Sequence, residues 1–234
     1  MTGLSTRLRA RTTGFGRGDD GLSLAELIVS IMVFGLIVTI VTTTFISLTK
    51  ATAQARGIDA NTRVASNSMN EVSRVVRAAR TIPTPGGTEA TSFSLATTES
   101  LTLTTAVNGA DSLTTVPRKV TFSVAADRSL VETTVVGTPL KTDFWQFVST
   151  PTKRTLGGAV LTTASSGTPL FTYYDFAGVA LTPDATGALG AAQLPLIASV
   201  QVSLTVDRTT TRSSQAVTLQ TTVSLSNLVG GAGS

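Results

Sequence analysis

Gly21-Leu22-Ser23-Leu24-Ala25-Glu26-Leu27-Ile28-Val29 opens the stretch whose reading decides the architecture. From Leu27 to Thr49 the chain then runs for 23 residues without a charge. At about 1.5 Å per residue, that run spans roughly 35 Å as an α-helix, enough to cross a bilayer core of about 30 Å. It carries Ile31, Met32, Val33, Phe34, Leu36, Ile37, Val38, Ile40 and Val41. Four arginines precede it, Arg7, Arg9, Arg11 and Arg17. Basic residues on the leading side predict a cytoplasmic N-terminus, with everything after Lys50 outside. Residues 1–21 are polar and rich in Gly, Thr and Arg, and read as a leader rather than a folded element.

The helical pattern continues past the apolar run. Ile58, Ala65, Met69, Val72, Val76 and Ala79 recur at mostly three- or four-residue steps, and Arg56, Asp59, Arg63, Glu71, Arg74 and Arg77 fall between them. That is an amphipathic helix with one core-facing stripe. Arg77 and Arg80 suit the negative pole of its dipole, and Pro83, Pro85, Gly86 and Gly87 are expected to end it. One helix is therefore predicted from about Leu22 to Thr81. Residues 22–49 form its membrane half and 50–82 its amphipathic half.

Residues 83–234 read as a β-rich extracytoplasmic domain. Leu101, Leu103 and Val107 alternate with threonines, and Val120, Phe122 and Val124 alternate likewise. Phe144 to Val148 and Leu170 to Phe176 are aromatic, strand-like runs. Val200, Val202, Leu204 and Val206, then Val217, Leu219, Val223 and Leu225, predict a terminal hairpin with one face buried. The stretch Asp207 to Gln215 separates its strands, and loops are expected at Asn108–Asp111, Thr182–Pro195 and the Gly230–Ser234 tail. Trp145, with Phe144 and Phe147, reads as a core anchor. Tyr173-Tyr174-Asp175 reads as a strand alternating core and surface. Asp184 and Asp207 read as isolated loop acids that make no calcium site.

Composition narrows the function. Apolar residues make up 41% of the chain, enough for a packed core, and charged residues only 14%. The net charge is +4, and without the first 21 residues the balance is 14 basic to 12 acidic. No basic cluster interleaved with aromatics follows, so nucleic acid is not an expected partner. The absence of cysteine removes disulfides, thiolate metal sites and cysteine catalysis; the absence of histidine removes histidine-based triads and most zinc or copper sites. No nucleophile–base–acid set and no phosphate loop is visible, so neither an enzyme nor a cofactor or metal is expected.

Glu26 is the residue that needs a reason. An acid within an apolar membrane helix costs about 2.5–3.5 kcal/mol at the centre on insertion scales unless it is paired. Ser23-x-x-Glu26 also forms a capping box, and an acid in the first turn of any helix is stabilising. A glycine, an acid five residues on and about twenty apolar residues together resemble the class III signal of type IV prepilins. That resemblance covers about residues 18–48. It implies cleavage by a prepilin peptidase between Gly21 and Leu22, N-methylation of Leu22, and pairing of Glu26 with the terminal amine of a neighbouring subunit. A glycine before the cut suits a tight protease cleft because it has no Cβ.

The resemblance further implies an α+β, pilin-like fold, its long helix packed by its outer half on an antiparallel sheet. It implies other pilin or pseudopilin subunits and the membrane as partners, and an extracellular filament after assembly. Asp19 and Asp20 before Gly21, the missing proline in residues 22–49 and the missing cysteines point to a minor pilin or pseudopilin. The helix Thr62–Arg80, the segment Phe171–Gly178 and the final strands resemble minor subunits of the J/PilW-like class. The competing reading is a solitary β-rich binding domain, either membrane-anchored or released by a signal peptidase at Ala51-Thr52-Ala53-Gln54-Ala55.

Overall fold

Ser23 starts the long helix α1, which spans Leu24–Arg77 over 54 residues. The Glu26 N–H donates to the Ser23 hydroxyl at 3.2 Å and the Leu27 N–H to the Ser23 carbonyl at 3.1 Å, satisfying donors that a helix start leaves open. The structure, a computed structural model, describes residues 23–83, 89–106, 116–141, 144–208 and 216–225. The leader, Gly21, Leu22, the loop expected at Asn108–Asp111 and the C-terminal tail lie outside them. The chain divides into two units after Ala51.

Among the described residues, the second unit carries the rest of α1 and twelve strands. Strands β1 (Ile82–Pro83) and β2 (Glu89–Ala90) form a short ribbon. β3 (Phe93–Ala96), β4 (Ser100–Thr105), β5 (Arg118–Val124), β6 (Leu130–Val136), β7 (Thr138–Lys141), β8 (Phe144–Gln146) and β9 (Thr152–Gly157) follow, then a single turn of helix, α2 (Thr163–Ser166). β10 (Phe171–Tyr174), β11 (Ser199–Val206) and β12 (Val217–Ser224) end the fold. A five-stranded antiparallel sheet has the order β3-β4-β5-β6-β9, and a three-stranded one the order β10-β11-β12. β7 and β8 form a second ribbon. The fold is α+β with one long helix, and the predicted terminal hairpin is present, paired from Ser199↔Ser224 to Val206↔Val217.

One core joins the helix to both sheets. Ala65, Met69, Val72, Val75 and Val76 of α1 cluster with Phe93, Leu101, Leu103, Phe122, Phe171, Tyr173, Val200, Val202 and Leu204. The helical stripe begins at Asn61, since Ile58 is exposed and residues 50–60 bury nothing fully. It comes close to the sheet at Gly157 on β9. A Cβ added there would lie 2.6 Å from both the Val64 Cγ1 and the Ser68 hydroxyl, so only a glycine lets the helix sit this close.

α1 ends four residues before the predicted Thr81, and the prolines are not the cause. The Ala78 and Ala79 N–H groups tighten onto Val75 and Val76, and the chain then pairs with β4 through Ala79↔Thr105. Thr105 donates to the Ala78 carbonyl at 2.9 Å and Thr104 to the Arg80 carbonyl at 2.8 Å. Buried threonines of β4 thus satisfy carbonyls that a helix end leaves open. With Thr102, they make the face of β4 opposite Leu101 and Leu103 buried as well.

Two further expectations need correcting. Trp145 is half-buried and outside the core. It belongs to the two-stranded β7–β8 ribbon and packs over Gly137, whose added Cβ would lie 3.2 Å from the indole. Asp207 is a buried residue, not an isolated loop acid. Its N–H donates to the Ala159 carbonyl at 2.8 Å, and its own carbonyl accepts from Arg128 at 2.6 Å. Arg128 sits at φ 63° in the β5–β6 turn and also donates to the carbonyls of Val160 and Ala159, so one guanidinium ties the two sheets together. Tyr173 is buried as expected. Its hydroxyl donates to the Thr97 carbonyl at 2.7 Å, and burial pushes its pKa up.

Candidate membrane and assembly segment

The first unit exposes its apolar side chains all round. Between Leu24 and Leu48, the large hydrophobic residues are 44–76% exposed. The helix is long and apolar enough to cross a membrane, and none of the residues in its most apolar window is buried. One candidate span near the N-terminus is consistent with a single-pass membrane protein.

Five of the seven hydroxyls between Leu24 and Thr49 bond to the helix's own carbonyls. Ser30 donates to the Glu26 carbonyl at 2.8 Å, Thr39 to Gly35 at 2.8 Å, Thr44 to Ile40 at 2.8 Å and Thr49 to Phe45 at 2.9 Å. Thr43 shares its proton between the carbonyls of Thr39 and Ile40. An unsatisfied hydroxyl transferred out of water costs about 1–3 kcal/mol by mutational measure, and these bonds remove that cost. A segment with many threonines can therefore behave as an apolar one.

Glu26 lies in the first turn of α1 and is exposed. Its backbone N–H engages Ser23, which is one arm of the predicted capping box. Among the described residues, no cation lies within ion-pair distance of its carboxylate. Gly21 and Leu22, the expected cleavage and methylation residues, lie outside the described residues.

The folded unit holds a separate set of charges that sequence spacing did not reveal. Arg154 on β9 reaches Glu71 on α1 and Glu132 on β6, both at 2.6 Å. Arg74 grips Glu71 with two bonds of 2.9 and 2.6 Å. The paired Arg74, aided by Arg154, holds the Glu71 carboxyl below the usual carboxylate range against the opposing effect of burial. This network fastens helix to sheet, and it does no evident chemistry. Asp184 closes its own turn by accepting from Thr186 and Ala188. No group of three or more acidic, histidine or cysteine residues among the described residues could hold a metal ion. No protein-family model, curated protein or solved structure matches this chain.

Proposed function

We propose that the chain is a structural minor subunit of a type IV pilus or of a type II secretion-like pseudopilus. It would be cut between Gly21 and Leu22, methylated at Leu22, held in the membrane by a single pass, and assembled through α1. Its leader would face the cytoplasm and its β-rich domain the outside.

The observation that carries this reading is the segment Leu24–Leu48, whose large apolar side chains are all exposed. At ~25 cal/mol per Å², no chain leaves that much apolar surface in water. Lipid covers such a segment in the membrane, and the same segments of other subunits cover it in a filament. Glu26, at one end of the run, then supplies the polar contact that fixes register between neighbouring helices, with an N-terminal amine as its cation. The continuity of α1 through Ala51–Ala55 favours retention of the segment over release by a signal peptidase, which needs an extended backbone at its cut.

The test is Glu26→Ala in cells that assemble the filament. Assembly or incorporation is expected to fall sharply while cleavage after Gly21 continues. Undiminished incorporation would favour a solitary anchored domain.

A further inference from the structure

We propose that the free edge of β12 takes an added strand, an extended segment of another protein that carries an acid on the side facing α1. Among the described residues, β12 pairs with β11 alone. The phase of that pairing shows which backbone groups are left over. On β11 the Ser203 N–H donates to Leu170, the Thr205 carbonyl accepts from Leu161 and the Asp207 N–H donates to Ala159, so these three residues turn away from β12. Residues of an antiparallel strand alternate in the side to which they bond. Val202, Leu204 and Val206 therefore bond to their β12 partners Thr221, Leu219 and Val217. Thr218, Gln220 and Thr222 are left with their N–H and C=O groups directed outward, and all three are exposed.

The other edges of the two main sheets are blunted against such pairing, and β12 is not. Natural sheets protect free edges with short strands, charges, prolines or bulges. β3 has four residues and a register shift, β10 has four residues, and β9 carries Lys153 and Arg154. β12 has eight residues with no charge, no proline and no register shift. Its inward residues Val217, Leu219 and Thr221 are half-buried, although Val206, Leu204 and Val202 opposite them are buried, so the edge is open from the side.

The space beside the edge says what the added strand carries. A groove of about 500 Å³ opens between α1 and Thr221, lined on the helix by Met69, Ser73, Arg74, Arg77 and Ala78. Alternate side chains of an added strand point into it. Met69 and Ala78 suit apolar residues there. Arg74, which binds Glu71, and Arg77 make the lining basic, and no acid lines it among the described residues. A second copy of β12 brings the same two arginines to the seam and is repelled; a strand with an acid is attracted. Unpaired backbone groups supply the affinity of strand addition and the side-chain pockets its specificity. The inference concerns the folded unit and stands apart from the reading of the apolar segment.

The probe is the synthetic strand Thr-Val-Thr-Glu-Thr-Val-Thr, capped at both ends and added to the isotope-labelled full-length chain in detergent. Amide hydrogen exchange is read residue by residue by nuclear magnetic resonance. In the chain alone, the amides of Thr218, Gln220 and Thr222 are expected to exchange at least about tenfold faster than those of Leu219 and Thr221, and saturating probe to slow them about tenfold. The same peptide with lysine in place of its glutamate is expected to bind more weakly, and Arg77→Glu to reverse that order. Gln220→Pro removes an outward N–H and no bond to β11, so it should abolish protection by the probe in a folded chain. If that variant unfolds, Arg77→Glu carries the test, because it leaves β12 untouched. No slowing of the three amides by the glutamate peptide would overturn the proposal. Slowing that grows with the concentration of the chain alone would overturn it in favour of a second copy, and protection already present at high dilution would show that the chain covers its own edge. Equal binding of the two peptides would overturn the acid.

Discussion

The two halves of α1 are made of the same backbone and solve opposite problems. From Leu24 to Leu48 the large apolar residues point in every direction and stay exposed. From Asn61 to Val76 a single stripe is apolar, and Ala65, Met69, Val72, Val75 and Val76 are at most 7% exposed. The second half finds its cover within its own chain. The first half finds none among the described residues. Periodicity marks this difference: a helix apolar all round belongs in lipid or among other helices, and a striped one belongs on a sheet.

A charge placed in each half breaks the comparison most sharply. Val76→Asp buries an unpaired carboxylate in the core and should cost on the order of 5 kcal/mol, seen as loss of cooperative unfolding in detergent. Ile37→Asp should leave that unfolding transition unchanged and instead cost about 3 kcal/mol of membrane insertion, read as release by alkaline carbonate. Equal effects of the two substitutions on unfolding would refute the division. Next in size is Gly157→Ala, whose methyl group would collide with Val64 and Ser68 of the striped half; about 2 kcal/mol of destabilisation is expected by denaturant titration.

Smaller effects sharpen how the striped half is fastened. Arg154→Met strands the nearly buried Glu132 and weakens the hold on Glu71, for about 1–2 kcal/mol. Because the folded-state pKa of Glu71 is depressed, its contribution is complete above the ordinary glutamate value of about 4.3 and fades as pH falls through the lower folded value. Glu71→Gln should therefore flatten the acid limb of the stability curve below about pH 4.3 and leave its slope at neutral pH unchanged. Tyr173→Phe removes the bond to the Thr97 carbonyl, and about 1 kcal/mol is expected.

Elements with strong periodicity were legible in the sequence. The uncharged run, the stripe from Ala65 to Val76 and the alternating β11–β12 hairpin each repeat a simple period. β6 and β9 were not read as strands. β9 is an edge with Thr152, Lys153, Arg154 and Thr155 exposed, so no burial imposes alternation on it, and β6 places Glu132 on a buried position because Arg154 meets it there. The helix end was misplaced because Thr104 and Thr105, distant in sequence, set it. The Ser23 cap was legible because it is local.

The most direct measurement of the central claim is the mass of the mature N-terminal peptide from the native host. A chain beginning at an N-methylated Leu22, with the apolar half of α1 still attached, is the predicted result. A chain beginning at Arg56 would contradict the account, because the half of α1 that needs outside cover would then be absent from the working protein.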